Sequence, residues 1–196
     1  MSKRSKGKTK SILEQEMVSA LTVLAGGRTW TYRTGNETDE ESLVAIDQLL
    51  SSCGVEHFTA KEFCLPAGRL RRDLMNHRGY KILVPPEEHW VKLGILALLA
   101  DRVRKFVEGP IDVHWAWRPI GLNKAAGGAD QSDHLTCSAL DLGFPSWRSY
   151  DAGLSWLEHL YETGLFNLSL GLYGGLTIHI GAYSPLGHRR WGQRPR

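Results

Sequence analysis

Two short runs in the second half of the chain, S-A-L-D-L-G-F (138–144) and T-I-H-I-G-A-Y (177–183), alternate along their length and read as β-strands. Alternation puts Ala139 and Asp141 on one face of the first strand and Leu140 and Leu142 on the other. In the second, His179 shares a face with Thr177 and Gly181. A chain carrying such strands is committed to a sheet whose two faces differ in chemistry.

The remaining pattern supplies helices to cover that sheet. Pro85-Pro86 followed by Glu87-Glu88 is a helix start, and the helix should run to about Glu108 and stop at Gly109-Pro110. Ser11–Ala25 and a segment capped by Thr38 and Glu41 and ending near Gly54 have helical spacing. Pro66 and Gly68 argue against a long helix after Thr59 and Glu62. I-D-V-H-W-A-W (111–117) reads as a strand, 118–133 as a glycine-rich loop, Tyr150–Thr163 as an amphipathic helix, and L-S-L-G-L-Y (168–173) as another strand. The expected class is α+β, with a small antiparallel sheet under helical cover. The organisation expected is a basic tail (1–10), a helical extension (11–56), a main domain (57–192) and a basic end (193–196).

Charge is unevenly placed. Lys3, Arg4, Lys6, Lys8 and Lys10 at one end, and Arg189, Arg190, Arg194 and Arg196 at the other, leave 15 basic against 21 acidic residues between them. His188 belongs to the same basic end. Such ends suit contact with nucleic acid or an anionic cell-wall polymer. Cys53, Cys64 and Cys137 share no CxxC spacing and make an odd count, which argues against a disulfide framework and for a reducing compartment at synthesis. No run approaches the roughly 18 apolar residues of a membrane span, and the N-terminus lacks the pattern of a signal peptide.

Around the first strand, D-Q-S-D-H-L-T-C-S-A-L-D (130–141) sets His134 seven residues ahead of Asp141. The residues alone leave three readings open: a redox or structural cysteine, an ordinary turn before a strand, or two ligands of a metal ion. Should the strands be neighbours, His134, Asp141 and His179 converge, as three protein ligands with one position left to water do in catalytic zinc sites.

The run W-A-W-R-P-I-G-L-N-K-A-A-G-G-A-D-Q-S-D-H-L-T-C-S-A-L-D-L (115–142), with G-L-Y-G-G-L-T-I-H-I-G-A-Y and R-R-W-G downstream, resembles the zinc D-alanyl-D-alanine carboxypeptidases and their L-alanyl-D-glutamate endopeptidase relatives. H-F-T-A-K-E-F-C (57–64) is similar to the opening of many members. The resemblance implies a hedgehog/DD-peptidase-like fold, Zn2+ held by His134, Asp141 and His179, and amide hydrolysis in peptidoglycan stem peptides. It further implies a substrate-binding or oxyanion role for Arg118 and a substrate or loop-capping role for Ser132. Asn123, Gly127 and Gly128 are expected to shape the loop, and Cys137 to pack where the family usually has glycine.

One departure stands out. Relatives carry an acid just before or after the final histidine, whereas Leu176, Thr177 and Ile178 precede His179 here and Gly181 follows it. Gly171 occupies a place where some relatives have glutamate, and Glu162 is the last carboxylate side chain. A general base would then come from Asp130, Asp133, His114 or Tyr183. Two functions follow: a phage-type cell-wall peptidase synthesised in the cytoplasm, or a non-catalytic binding or virion-type structural protein that retains the fold.

Overall fold

The strands of this protein are only four or five residues long, so each is held by its neighbours more than by its own propensity. The computed structural model describes residues 39–193. Strands β1 (Asp112–Trp115), β2 (Ala139–Gly143), β3 (Ser169–Leu172), β4 (Thr177–Gly181) and β5 (Arg189–Gly192) form one sheet in the order β1-β2-β4-β3-β5. The β1–β2, β2–β4 and β3–β4 pairs are antiparallel. The antiparallel sheet expected from sequence gains a parallel edge, because β5 pairs with β3 in parallel. After β4 the chain steps past β3 and returns, which sets β5 antiparallel to β4 and parallel to β3.

Among the described residues, six helices surround the sheet: α1 (Asp39–Ser52), α2 (Ala60–Cys64), α3 (Arg69–His77), α4 (Trp90–Val107), α5 (Ile120–Ala125) and α6 (Trp147–Glu162). The Thr59–Glu62 pair forms a capping box on the one-turn helix α2, as its early stop suggests. The Pro-Pro-Glu-Glu start gives a 3-10 turn at Glu87–His89 and then α4. Helix α5 lies in a stretch read as loop, and α3 in one for which the sequence suggested no element. The expected helix over Ser11–Ala25, the basic tail 1–10 and the final arginines Arg194 and Arg196 lie outside the described residues.

Among the described residues, two hydrophobic clusters result. In the main one, Ile46 and Leu49 of α1, Leu96 and Leu99 of α4, and Leu157 of α6 meet Leu140, Leu142, Ile178, Ile180 and Leu170 from one face of the sheet. The described part of the expected N-terminal extension thus packs into the same core. The smaller cluster joins Met75 of α3, Leu83, Trp115 of β1 and Leu122 of α5, with Leu74 and Trp117 against it. It underlies one flank of the sheet's other face.

The basic C-terminal residues are structural where they are described. Arg189 pairs with Asp133 at 2.9 Å, Arg190 pairs with Glu158, and the His188 ring stacks on Tyr161 at 3.8 Å. Arg189 and Arg190 open β5, and each pairs with a carboxylate of the chain.

Candidate metal centre

Register decides what gathers on the second face of the sheet. Asp141 pairs with His179 across β2–β4, and His179 with Gly171 across β4–β3. Side chains directly opposite on one face approach closely, so the carboxylate and the imidazole meet. His134 arrives from the 3-10 turn Asp133–Thr136, which leads into β2. The ligand atoms of His134, Asp141 and His179 all lie within 4.8 Å of one another, and all three residues are buried. His134 Nε2 is 3.3 Å from Asp141 Oδ2, and His179 Nδ1 is 2.8 Å from Asp141 Oδ1.

The hydrogen bonds of His134 define its protonation. Its Nδ1 lies 2.6 Å from the Ala116 carbonyl, which can only accept, so Nδ1 carries the proton. Burial lowers the His134 pKa against the opposing pull of Asp141, favouring a neutral ring. The lone pair of Nε2 is then left facing a carboxylate oxygen. Nε2 is buried without a hydrogen-bond partner, as is Nε2 of His179. Burial by itself would raise the Asp141 carboxyl, while the His179 Nδ1 contact at 2.8 Å pulls it down. Two acceptors pointing at one another in a dry site are unfavourable unless a cation lies between them. Two ligands on a tetrahedral zinc, at bonds of about 2.0–2.1 Å, stand roughly 3.3 Å apart. The donor set therefore fits a divalent cation of the zinc type, and an imidazole fixed by a backbone carbonyl is the form a ligand takes.

The surroundings are built to hold these groups close. A Cβ on Gly171 would lie 2.5 Å from the Trp191 ring, so the bare glycine lets Trp191 pack beside His179, with ring centroids 5.0 Å apart and planes inclined by 54°. Gly143 makes the same allowance for His114, whose Nε2 a Cβ there would strike. Tyr173 hydroxyl is 3.4 Å from His179 Nδ1, and burial pushes its pKa up to about 12. Arg118 is 6% exposed, its Nε buried without a partner, and its guanidinium stands 5.6 Å from the Trp115 ring centre. Burial lowers the Arg118 pKa while Asp141 and then Tyr173 raise it, which places both within its electrostatic reach.

Other expected site residues fall elsewhere. Ser132 caps the turn by accepting from His134 N at 3.4 Å, so its oxygen fixes the loop. Asn123 is buried, donates to the Ala129 carbonyl at 2.8 Å and shapes the glycine loop as expected. Cys137 is fully buried in the main core and packs there, with a thiol whose pKa burial pushes up. Of the proposed bases, Asp133 is buried and engaged by Ser184, Ser169 and Arg189. Asp130 is exposed on its loop, and Tyr183 stacks edge-on against Phe166 at 6.0 Å. His114 faces the site, but its Nδ1 takes contacts of 3.1 Å from both Arg71 and Thr177. Sequence reasoning missed Tyr173 and Arg71, and read Trp191 as one of several tryptophans able to line a groove but more suited to packing.

A sequence model of a family described as Peptidase M15 matches residues 56–165. The chain belongs to the Peptidase M15 family. The matched segment includes Arg118, His134 and Asp141 but ends before β4, so His179 joins them through the sheet register. Membership makes the chain a metallopeptidase in kind, in a family whose peptidases act on peptidoglycan. No curated protein and no solved structure matches the chain. Among the described residues, no helix is long and apolar enough to cross a membrane.

Proposed function

We propose that this protein is a zinc-dependent peptidase that hydrolyses amide bonds in peptidoglycan stem peptides, as a carboxypeptidase or an endopeptidase, with His134, Asp141 and His179 as the metal ligands. The observation that carries the reading is the unpartnered His134 Nε2 aimed at the Asp141 carboxylate in a buried site. When bound, zinc supplies Lewis acidity, activating a water and polarising a carbonyl.

The chain's own residues supply the rest. Ala116 holds the His134 ring in its ligating tautomer through its carbonyl. Arg118, deeply buried with free donors, offers a fork to the scissile carbonyl and to the charge that develops on it. Tyr173 remains protonated at neutral pH, since its pKa is pushed up to about 12, and so acts as a hydrogen-bond donor beside His179. Trp191 shields one side of the site from water.

A second reading keeps the fold and the metal but not turnover. It is favoured by one observation: no carboxylate side chain follows Glu162, where relatives place an acid near the last histidine. Incubation of the purified protein with peptidoglycan, followed by mass spectrometry of the released fragments, separates the two. Chelator-sensitive release of stem-peptide fragments is expected. Bound zinc with intact peptidoglycan would establish the non-catalytic reading instead.

A further inference from the structure

Strand register lays two adjacent rows of residues across the polar face of the sheet. The metal row runs Asp141, His179, Gly171 and Trp191, from β2 through β4 and β3 to β5. The next row, two residues along each strand, runs Ala139, Gly181, Ser169 and Arg189. That step along a strand is about 7 Å.

Asp133 lies over the second row. Its carboxylate accepts from Ser184 Oγ at 2.5 Å, Arg189 Nη2 at 2.9 Å and Ser169 Oγ at 3.4 Å. Those donors come from three segments: the chain after β4, the edge strand β5, and β3. Asp133 is 2% exposed and opens the turn that carries His134. The small residues of the row leave it room, since a Cβ on Gly181 would stand 2.2 Å from Ser169 Oγ and 3.4 Å from Asp133 Oδ2. The main chain of the turn is held too: Ser138 N donates to the Asp133 carbonyl at 2.9 Å, and Arg118 N to the His134 carbonyl at 3.0 Å.

From β5 the connection returns to the metal row. The Arg189 guanidinium lies over the Trp191 ring, 4.8 Å from its centre, and that ring packs beside His179. One carboxylate therefore joins the segment bearing His134 to the aromatic that backs His179. Strand β5 has little else to fix it. It is four residues at the sheet edge, paired only with β3. Its other charged contact, Arg190 with Glu158, is exposed and of the kind that contributes little. A buried ion pair such as Asp133 with Arg189 is weak evidence for stability, and fixing geometry is its better-attested use.

We propose that Asp133 is a positioning residue of the metal centre: it fastens β5 to the turn of His134 and, through Arg189, sets Trp191 against His179. The proposal rests on the zinc-peptidase reading and adds to it that the C-terminal strand, which supplies no ligand, holds the ligands in place. The alternative role for Asp133 is that of a reacting group that moves a proton for the substrate.

The test uses the full chain as wild type, Asp133→Asn, Arg189→Met and the double variant, with zinc alone as the probe, titrated against a chelating dye. Each single variant is expected to bind zinc about 10-fold more weakly, the lower end of the loss when groups behind metal ligands are removed. The double variant should be no weaker than either, because both changes break one linkage. Tryptophan emission of the zinc-free protein should shift to the red in Asp133→Asn, and the shift should vanish in a Trp191→Phe background. Should Asp133→Asn fail to fold, Arg189→Lys carries the test: it keeps the charge and loses the fork, and its zinc affinity must fall below that of the wild type. A wild type that takes up no zinc would overturn the zinc-peptidase reading and this role with it. A wild type that takes up zinc, with variants matching it within about twofold, would overturn this role alone. Losses that add in the double variant would separate Asp133 from Arg189 and overturn the linkage. Zinc affinity kept while kcat on a stem peptide is lost in Asp133→Asn would make Asp133 a reacting group and overturn its positioning role.

Discussion

The two faces of β2 are equally buried and chemically opposite. On one, Leu140, Leu142, Ile178 and Ile180 pack into the main core. On the other, one position away along the same strands, stand Asp141, Gly143, Thr177 and His179. Every residue of β2 is buried, so exposure does not distinguish the faces. What differs is the means of stabilisation. The aliphatic face gains from surface removed from water. The polar face buries two imidazoles and a carboxylate, a cost offset only when each lone pair finds a partner. One face therefore carries stability and the other carries chemistry, within a strand of five residues.

Substitutions on each face should fail in different ways. Leu140→Ala, at a fully buried core position, should cost about 2–5 kcal/mol of stability. Chemical denaturation would measure that loss, and metal content in the folded fraction should be unchanged. Arg118→Lys, on the opposite side, should leave the denaturation midpoint nearly unaltered. It should lower kcat/KM on a stem peptide by about 100-fold, as loss of an oxyanion donor does; an undiminished rate would take Arg118 out of the reaction. Gly171→Ala is a mixed case, because its Cβ would meet the Trp191 ring at 2.5 Å. Overpacking there should cost about 1–3 kcal/mol and expose Trp191, visible as a red shift of its fluorescence.

The division between faces is written in the sequence, because strand alternation has a strict period of two. Ala139 and Asp141 fall on one side, and Leu140 and Leu142 on the other, as the residues predict. His134 and Asp141 stand close in sequence around a turn, and the family resemblance supplied the link to His179. Other parts were less legible for physical reasons. β5 is four residues with two arginines, and its existence depends on pairing with β3 and on Asp133 and Glu158, remote in the chain. Composition alone therefore read it as the start of a basic end. Helix α3 is mostly exposed and charged, and only Met75 is fully buried along it, so no apolar stripe announced it. The placement of Arg71 depends on that helix and on the contact of its guanidinium with His114.

The account turns on whether the polar face holds a cation. Elemental analysis of the purified protein, after dialysis against metal-free buffer and reloading with zinc, tests this most directly when wild type is set beside Asp141→Ala. The account predicts one zinc per chain in the wild type, and in the variant an affinity weaker by more than about 100-fold, since even the loss of groups behind the ligands costs roughly 10- to 100-fold. Equal zinc in both proteins, or none in the wild type, would contradict it.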